Sequence, residues 1–152
     1  MRVSAKVDYA LRACAELAAV AGEGPVKGER IAQAQEIPVR FLENILLDLR
    51  HAGLVASQRG AEGGYWLAKP PEDIVLADLI RALEGPIANV RGHPPEETKY
   101  EGPAKALQFV WVAVRANLRA VLESVTLADL VAGRMPPEVE RLTADPEAWL
   151  SR

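Results

Sequence analysis

A single cysteine, Cys14, stands in this chain of 152 residues. One thiol closes no intrachain disulfide and supplies no all-cysteine metal site. Long apolar runs are missing as well: nothing approaches the roughly 18–20 residues of a membrane span. The opening MRVSAKVDYALR carries charges from Arg2 to Arg12 and lacks the uninterrupted apolar segment of a secretory signal. The expected location is therefore the cytoplasm, with no membrane partner. Positive charge is not in excess either. The net charge is −3, which taken whole argues against a polyanionic partner. The balance is uneven, however. Residues 1–69 hold nine Lys/Arg against eight Asp/Glu, a net +1, and residues 70–152 hold nine against thirteen, a net −4. The acidity sits in the second half, and the first half is free to approach an anion.

Hydrophobic residues make up 49% of the chain, enough for a core in one domain, or in one small domain with an appendage. Ser4 is placed to cap a helix running to about Ala21, with Ala10, Leu11, Cys14, Leu17, Ala18 and Ala21 on one face. GEGP (Gly22–Pro25) stops it. A short helix from about Lys27 to Ala34 turns Ile31 and Ala32 inward. After the turn QEIP, Pro38 suits the first position of a third helix, VRFLENILLDLRHAG. That helix directs Phe41, Leu42, Ile45, Leu46 and Leu49 inward and ends at Gly53. A longer helix followed by two helices on a tight turn is the helix-turn-helix pattern. LVASQR (Leu54–Arg59) and GYWLA (Gly64–Ala68) are strand candidates, and GAEGG between them supplies the positive φ a hairpin requires.

The glycines of RGAEGGYWLA form neither GxGxxG nor GxxxxGK[ST], and a strand follows them rather than a helix, so a nucleotide loop is set aside. As a wing on a helix-turn-helix domain, the hairpin would carry Arg59 to a minor groove, where narrow A·T-rich stretches attract guanidinium. The plain alternative is a surface hairpin with a solvated arginine. The third helix weighs against that alternative. Its first turns put Val39, Arg40, Glu43 and Asn44 outward, and these types suit base edges: Arg for guanine, Glu for the cytosine amino group, Asn for adenine. A solvated polar face is the bland account of the same four residues.

Pro70–Pro71 breaks the chain. VLADLIRALEGP (Val75–Pro86) is a further helix, with Leu76, Leu79, Ile80 and Leu83 on one side. A polar loop without periodicity runs from Ile87 to Gly102. A long helix from about Pro103 to Val125 follows, with Leu107, Trp111, Val114, Leu118, Val121 and Val125 spaced 4, 3, 4, 3, 4, the seam of a helix that pairs with another helix. TLADLVAG (Thr126–Gly133) reads as a short final helix with Thr126 and Asp129 as its capping box. LADL occurs twice, at Leu76–Leu79 and Leu127–Leu130, and reads as coincidence between amphipathic helices. The Pro-punctuated tail from Arg134 gives no expectation of structure. The chain thus divides into residues 1–71, a winged helix-turn-helix domain; residues 72–132, a connecting helix, loop and pairing helix; and a tail, residues 133–152. The fold class is mainly α with a small β-hairpin.

The segments KVDYALRA, RIAQAQEIP, RFLENILLDLRHAGLVASQRGAEGGYWLAKPPEDIVLADLIRALEGP and VWVAVRANLRAVLESVTLADL resemble the bacterial Rrf-two-type regulators (IscR/NsrR/CymR-like) over about residues 1–132. The resemblance implies a homodimeric winged-helix regulator of transcription, a repressor or an activator with repression the expected direction. It implies a palindromic operator in double-stranded DNA, and a long dimerisation helix bearing Leu107, Trp111, Val114, Leu118 and Val121. It places Arg40, Glu43 and Arg59 on DNA, with Asn44 and Gln58 as neighbours. One departure matters. Sensing members hold an iron–sulfur cluster on three cysteines ahead of the long helix, whereas VRGHPPEETKYEGPAKAL contains none. Asp8, where some relatives contribute a cluster carboxylate, has nothing here to complete, so no metal and no cofactor is expected.

Other residues carry less. Cys14 falls on an inner face, where an inert thiol is usual and a redox sensor the alternative. His51 suits a helix C-terminus or a phosphate contact. His93 lies beside Glu96 and Glu97 but is a single imidazole in a loop. Trp111 reads as packing. No nucleophile–base pair nominates an enzyme. Two rival readings stay open: a winged-helix protein-interaction module, and a regulator gated by a small-molecule effector near the cysteine-free loop and Trp111.

Overall fold

The structure, a computed structural model, describes residues 2–152. Ser4 opens it. Its hydroxyl accepts the N–H of Val7 at 3.2 Å and caps α1 (Ala5–Ala19). The expected inner face is buried at Ala10, Cys14, Leu17 and Ala18 and is widened by Val7 and Ala13. Leu11 is half-buried, and Ala21 lies exposed beyond the helix. α2 (Gly28–Gln35) and α3 (Val39–His51) follow, joined by Glu36 in the left-handed region and by buried Ile37. Arg12 on α1 fastens this turn: it donates to the Gln35 carbonyl at 2.7 Å and lies over the Tyr9 ring, satisfying an acceptor at the α2 C-terminus.

Two expectations for α3 need correction. Pro38 precedes the helix instead of starting it; its ψ of 126° is extended, and its carbonyl accepts the N–H of Leu42 at 3.0 Å. Phe41 is 41% exposed, although Leu42, Ile45, Leu46 and Leu49 are buried as expected. At about 100° per residue, position 41 lies at the edge of the arc those four define. From there its ring meets Tyr9 edge-on, centroids 5.5 Å apart. The helix ends as the sequence indicates. Gly53 takes φ 77°, its N–H donates to the Arg50 carbonyl, and Leu54 N–H donates back to the Leu49 carbonyl at 3.0 Å, the paired bonds of a Schellman ending.

β1 (Val55–Gln58) and β2 (Gly64–Leu67) pair antiparallel from Val55↔Leu67 to Gln58↔Gly64. A third pairing was not legible in advance: Val26 and Tyr65 exchange both backbone bonds at 2.8 Å. The segment leading into α2 therefore forms the sheet's third member, one residue long.

α4 (Leu76–Glu84), α5 (Leu107–Leu122), α6 (Leu127–Ala132) and α7 (Pro137–Thr143) complete the chain. The two LADL copies meet in space. Val75 and Thr126 bridge antiparallel, Leu76 N–H donates to the Val125 carbonyl and Leu127 N–H to the Ile74 carbonyl. Each helix start is closed by an aspartate, Asp78 accepting from Val75 N–H at 3.2 Å and Asp129 from Thr126 N–H at 3.1 Å. Leu79 and Leu127, with Ile74 ahead of the first copy, join Leu17, Ile31, Leu42, Ile45, Leu46 and Leu49 in one core, and Leu76 and Leu130 pack half-buried against it. α5 begins four residues later than expected, because Gly102–Ala104 forms a 3-10 turn held by i→i+3 bonds. The tail folds α7 and a 3-10 turn at Pro146–Trp149, and the Trp149 indole donates to the Thr143 carbonyl at 2.9 Å.

Candidate nucleic-acid interface

Burial of Leu42, Ile45, Leu46 and Leu49 leaves the other side of α3 in solvent, and Arg40, Glu43 and Asn44 lie on it, exposed. Val39 sits beside the buried arc and is exposed at the helix's first residue. Charged neighbours are committed to the fold: Lys6 pairs with Asp48 at 2.8 Å, and Arg50 donates to the Ser57 hydroxyl at 3.1 Å. Arg40, Glu43, Asn44, Gln58 and Arg59 take no such internal partner among the described residues. Their donors and acceptors are therefore free for an outside ligand, with no intramolecular bond to break first.

Gln58 and Arg59 are exposed at the end of β1, on a braced hairpin. The Gly60 carbonyl, at the tip, accepts the Gly63 N–H at 3.1 Å and the Lys27 ammonium at 2.7 Å. Sequence reasoning missed Lys27; a lone lysine ahead of a helix carries no signal that it reaches a hairpin tip. Gly63 and Gly64 matter for the space they leave. A Cβ on Gly63 would sit 2.1 Å from the Gln58 carbonyl oxygen, and one on Gly64 would sit 2.5 Å from that of Val26. The wing is thus tied to α3 through Arg50, to the start of α2 through Lys27, and to the preceding segment through Val26.

The remaining candidates resolve plainly. Asp8 is exposed and paired with Arg12 at 3.0 Å. His51 is exposed in the last turn of α3 beside Arg50. His93 is exposed, and its backbone pairs with that of Val90. Cys14 is wholly buried, and desolvation pushes its thiol up to about 12. A thiol held protonated in the core neither ligates nor oxidises readily. Ellman's reagent should therefore find no reactive thiol in the native protein at pH 8, and a full equivalent after denaturation; rapid native labelling would reinstate Cys14 as a sensor.

α5 is apolar yet poorly covered. Leu107, Trp111, Val114, Leu118 and Val121 share a face that the chain half-buries, and no residue of the helix is fully buried. Phe109, on the far side, is 76% exposed. The Trp111 indole nitrogen is sealed from solvent without a hydrogen-bond partner. Beside this face an apolar cleft of about 360 Å3 opens between Val3 ahead of α1, Val7 in its first turn, Ile80 of α4, Ile87, and Leu118 and Leu122 of α5. It reaches the beginning of the α4–α5 loop, but Trp111 does not line it. At the far end of α5, Glu123 takes Arg81 of α4 and Arg119 together. Hydrogen bonds from Arg81, then Arg119, hold its carboxyl below the ordinary range.

Comparison with known proteins fits this geometry. A family model described as Rrf2, iron-dependent transcriptional regulator, matches residues 3–133. The chain is 48% identical to the HTH-type protein Rv1287 of Mycobacterium tuberculosis over 145 residues, 95% of this chain and 90% of that one. It is 42% identical to the HTH-type transcriptional regulator CymR of Bacillus subtilis over 132 residues, 87% and 91% of the two chains. The solved structure of that CymR, called the global cysteine regulator of B. subtilis, superposes with a TM-score of 0.75 at 41% identity, covering 88% of this chain and 98% of the other. T. potens IscR superposes with a TM-score of 0.72 at 36% identity, covering 100% and 93%.

The family description implies iron, and the donors here do not fit it. The only cysteine is in the core, and no three His, Cys, Asp or Glu side chains converge among the described residues. Clusters and soft iron sites need several thiolates or imidazoles together. The chain belongs to the Rrf2 family of winged helix-turn-helix DNA-binding regulators, which are not enzymes, and it is a member without the cysteines an iron–sulfur cluster needs.

Proposed function

We propose that the protein is a homodimeric, sequence-specific transcriptional regulator, a repressor in its expected direction, that lays α3 in the major groove and reaches the adjacent minor groove with Arg59. The observation that carries this is the exposed, internally unpaired set Val39, Arg40, Glu43 and Asn44 beside a braced wing. Arg40 matches guanine O6 and N7, Asn44 matches adenine, and Glu43 accepts from a cytosine amino group. Gln58 and Arg59 contact the backbone and minor groove, where guanidinium is favoured by narrow A·T-rich stretches. The half-covered face of α5 at Leu107, Trp111, Val114, Leu118 and Val121, continuous with the cleft lined by Val3, Val7 and Ile80, is the surface a second copy would cover. Two recognition helices then meet a palindromic operator with half-site centres about one helical turn apart. A target in the bacterial chromosome places the protein in the cytoplasm.

Gel-shift titration against operator variants separates the two contacts. Arg40→Ala should lose about 1–3 kcal/mol and relax the base preference at one position of each half-site. Arg59→Ala should weaken binding with a changed dependence on A·T content, and lower the salt slope by about one per wing. Unchanged affinity in both variants removes these assignments.

A further inference from the structure

The segment between α4 and α5 lacks a metal-donor set, but it is held closely. Gln108, in the first turn of α5, donates its Nε2 to the carbonyls of Glu96 at 2.9 Å and Thr98 at 2.8 Å, with the Pro95 carbonyl farther off at 3.4 Å. A carboxamide nitrogen has two hydrogens, so the two shorter bonds are fully met and the third is shared. The Thr98 hydroxyl, on a side chain only 4% exposed, donates to the Pro95 carbonyl at 2.6 Å, and Pro95 is itself buried. Two turns along the same face, Arg115 pairs with the Glu96 carboxylate. At the other end Val90 and His93 exchange backbone bonds at 2.8 and 3.0 Å. An irregular segment that turns successive carbonyls toward a helix needs a donor for each of them. Here one side chain of the helix supplies it.

We infer that Gln108 is the positioning residue that clasps residues 95–98 onto α5, so that the segment keeps one closed conformation by the chain's own bonds and passes no iron or redox signal to the DNA-binding domain. Glutamine fits this role where its isostere does not. A carboxylate at the same place offers acceptors to acceptors. The inference rests on the proposed function only for its DNA readout, since the conformation of the segment is measured without DNA.

Limited trypsin digestion of the full chain, followed by mass spectrometry, tests the clasp. Arg91 and Lys99 are exposed cleavage sites on either side of the clasped residues, and Arg134 and Arg141 in the tail serve as internal controls. Gln108→Glu should raise cleavage after Lys99 on the order of tenfold, with cleavage after Arg141 unchanged, because local opening no longer breaks the two strong bonds. Equal rates in Gln108→Glu and the unmodified protein overturn the inference. Should the variant unfold as a whole, hydrogen exchange of the unmodified chain decides: the Glu97 and Thr98 amides, which donate to the Pro94 and Pro95 carbonyls, protected well above residues 151–152 support the clasp, and equal exchange refutes it. In the DNA arm, operator affinity should stay within about twofold on anaerobic incubation with ferrous iron and sulfide, or with diamide. A larger shift refutes an insulated segment. An absence of any specific DNA binding sinks the proposed function and leaves the proteolysis result standing.

Discussion

Gly64→Ala should lower the melting temperature by roughly 5–15 °C, an effect far larger than its single methyl group suggests. Gly64 sits at φ 154°, and a Cβ there meets Val26 oxygen, carbon and nitrogen at 2.5, 2.7 and 2.9 Å. All three are backbone atoms, so no side chain can swing away. Relief requires breaking the paired Val26–Tyr65 bonds, both 2.8 Å. Overpacking of this kind costs about 1–3 kcal/mol, and unfavourable backbone adds a comparable amount. Gly24 provides the control. It also has positive φ, 98°, but a Cβ there would meet nothing within 4 Å, so Gly24→Ala pays only the conformational strain. Thermal unfolding followed by circular dichroism should rank Gly64→Ala well below Gly24→Ala. A Gly64→Ala variant no less stable than Gly24→Ala would mean that the third pairing does not hold the wing. If the ranking stands, operator binding of Gly64→Ala at low temperature should resemble that of Arg59→Ala, because a wing freed from Val26 no longer points its guanidinium.

The parts of this molecule that were legible are those whose physics is periodic or terminal. The apolar arc of α3 announced both its buried side and, as its complement, the exposed Arg40, Glu43 and Asn44. Gly53 and the Thr126–Asp129 box marked helix ends where the structure places them. Features made by one residue meeting a distant one were not legible. Val26 pairs with Tyr65 as a strand of length one, too short for any alternation to register. The repeated LADL looked accidental, since amphipathic helices share such strings. Only the fold shows the two starts bridged through Val75 and Thr126, with Leu79 and Leu127 in one core. Phe41 failed for a geometric reason, an apolar side chain at the rim of its arc with Tyr9 available outside it. Gln108 failed for a chemical one, because a sequence does not record which way loop carbonyls face.

Leu118→Glu should leave a folded monomer whose affinity for a two-half-site operator is lower by roughly a hundredfold or more. Leu118 belongs both to the half-covered face of α5 and to the cleft shared with Val3, Val7 and Ile80. Being only half-buried in the single chain, a glutamate there finds water, and the monomer's own stability changes little. In a dimer that covers this face, the same carboxylate would be sealed among aliphatic side chains without a cation, at a cost of several kcal/mol. The dimer dissociates instead, and each recognition helix then binds its half-site without the effective concentration its twin supplies. Phe109→Glu distinguishes the two sides of the helix. Phe109 lies opposite, 76% exposed, and its replacement should keep both the dimer and the affinity. Sedimentation equilibrium and gel-shift titration on the two variants give the answer together. Dissociation by Phe109→Glu with Leu118→Glu intact would move the pairing surface to the other face of α5, and retention of the dimer by both would take α5 out of the interface. The expected pattern also constrains the domain's aim, because α5 is joined to the DNA-binding core through the Arg81–Glu123–Arg119 cluster and the Leu76–Val125 backbone bond. Pairing two α5 helices would therefore fix not only that two copies of α3 meet the operator but the separation at which they do so.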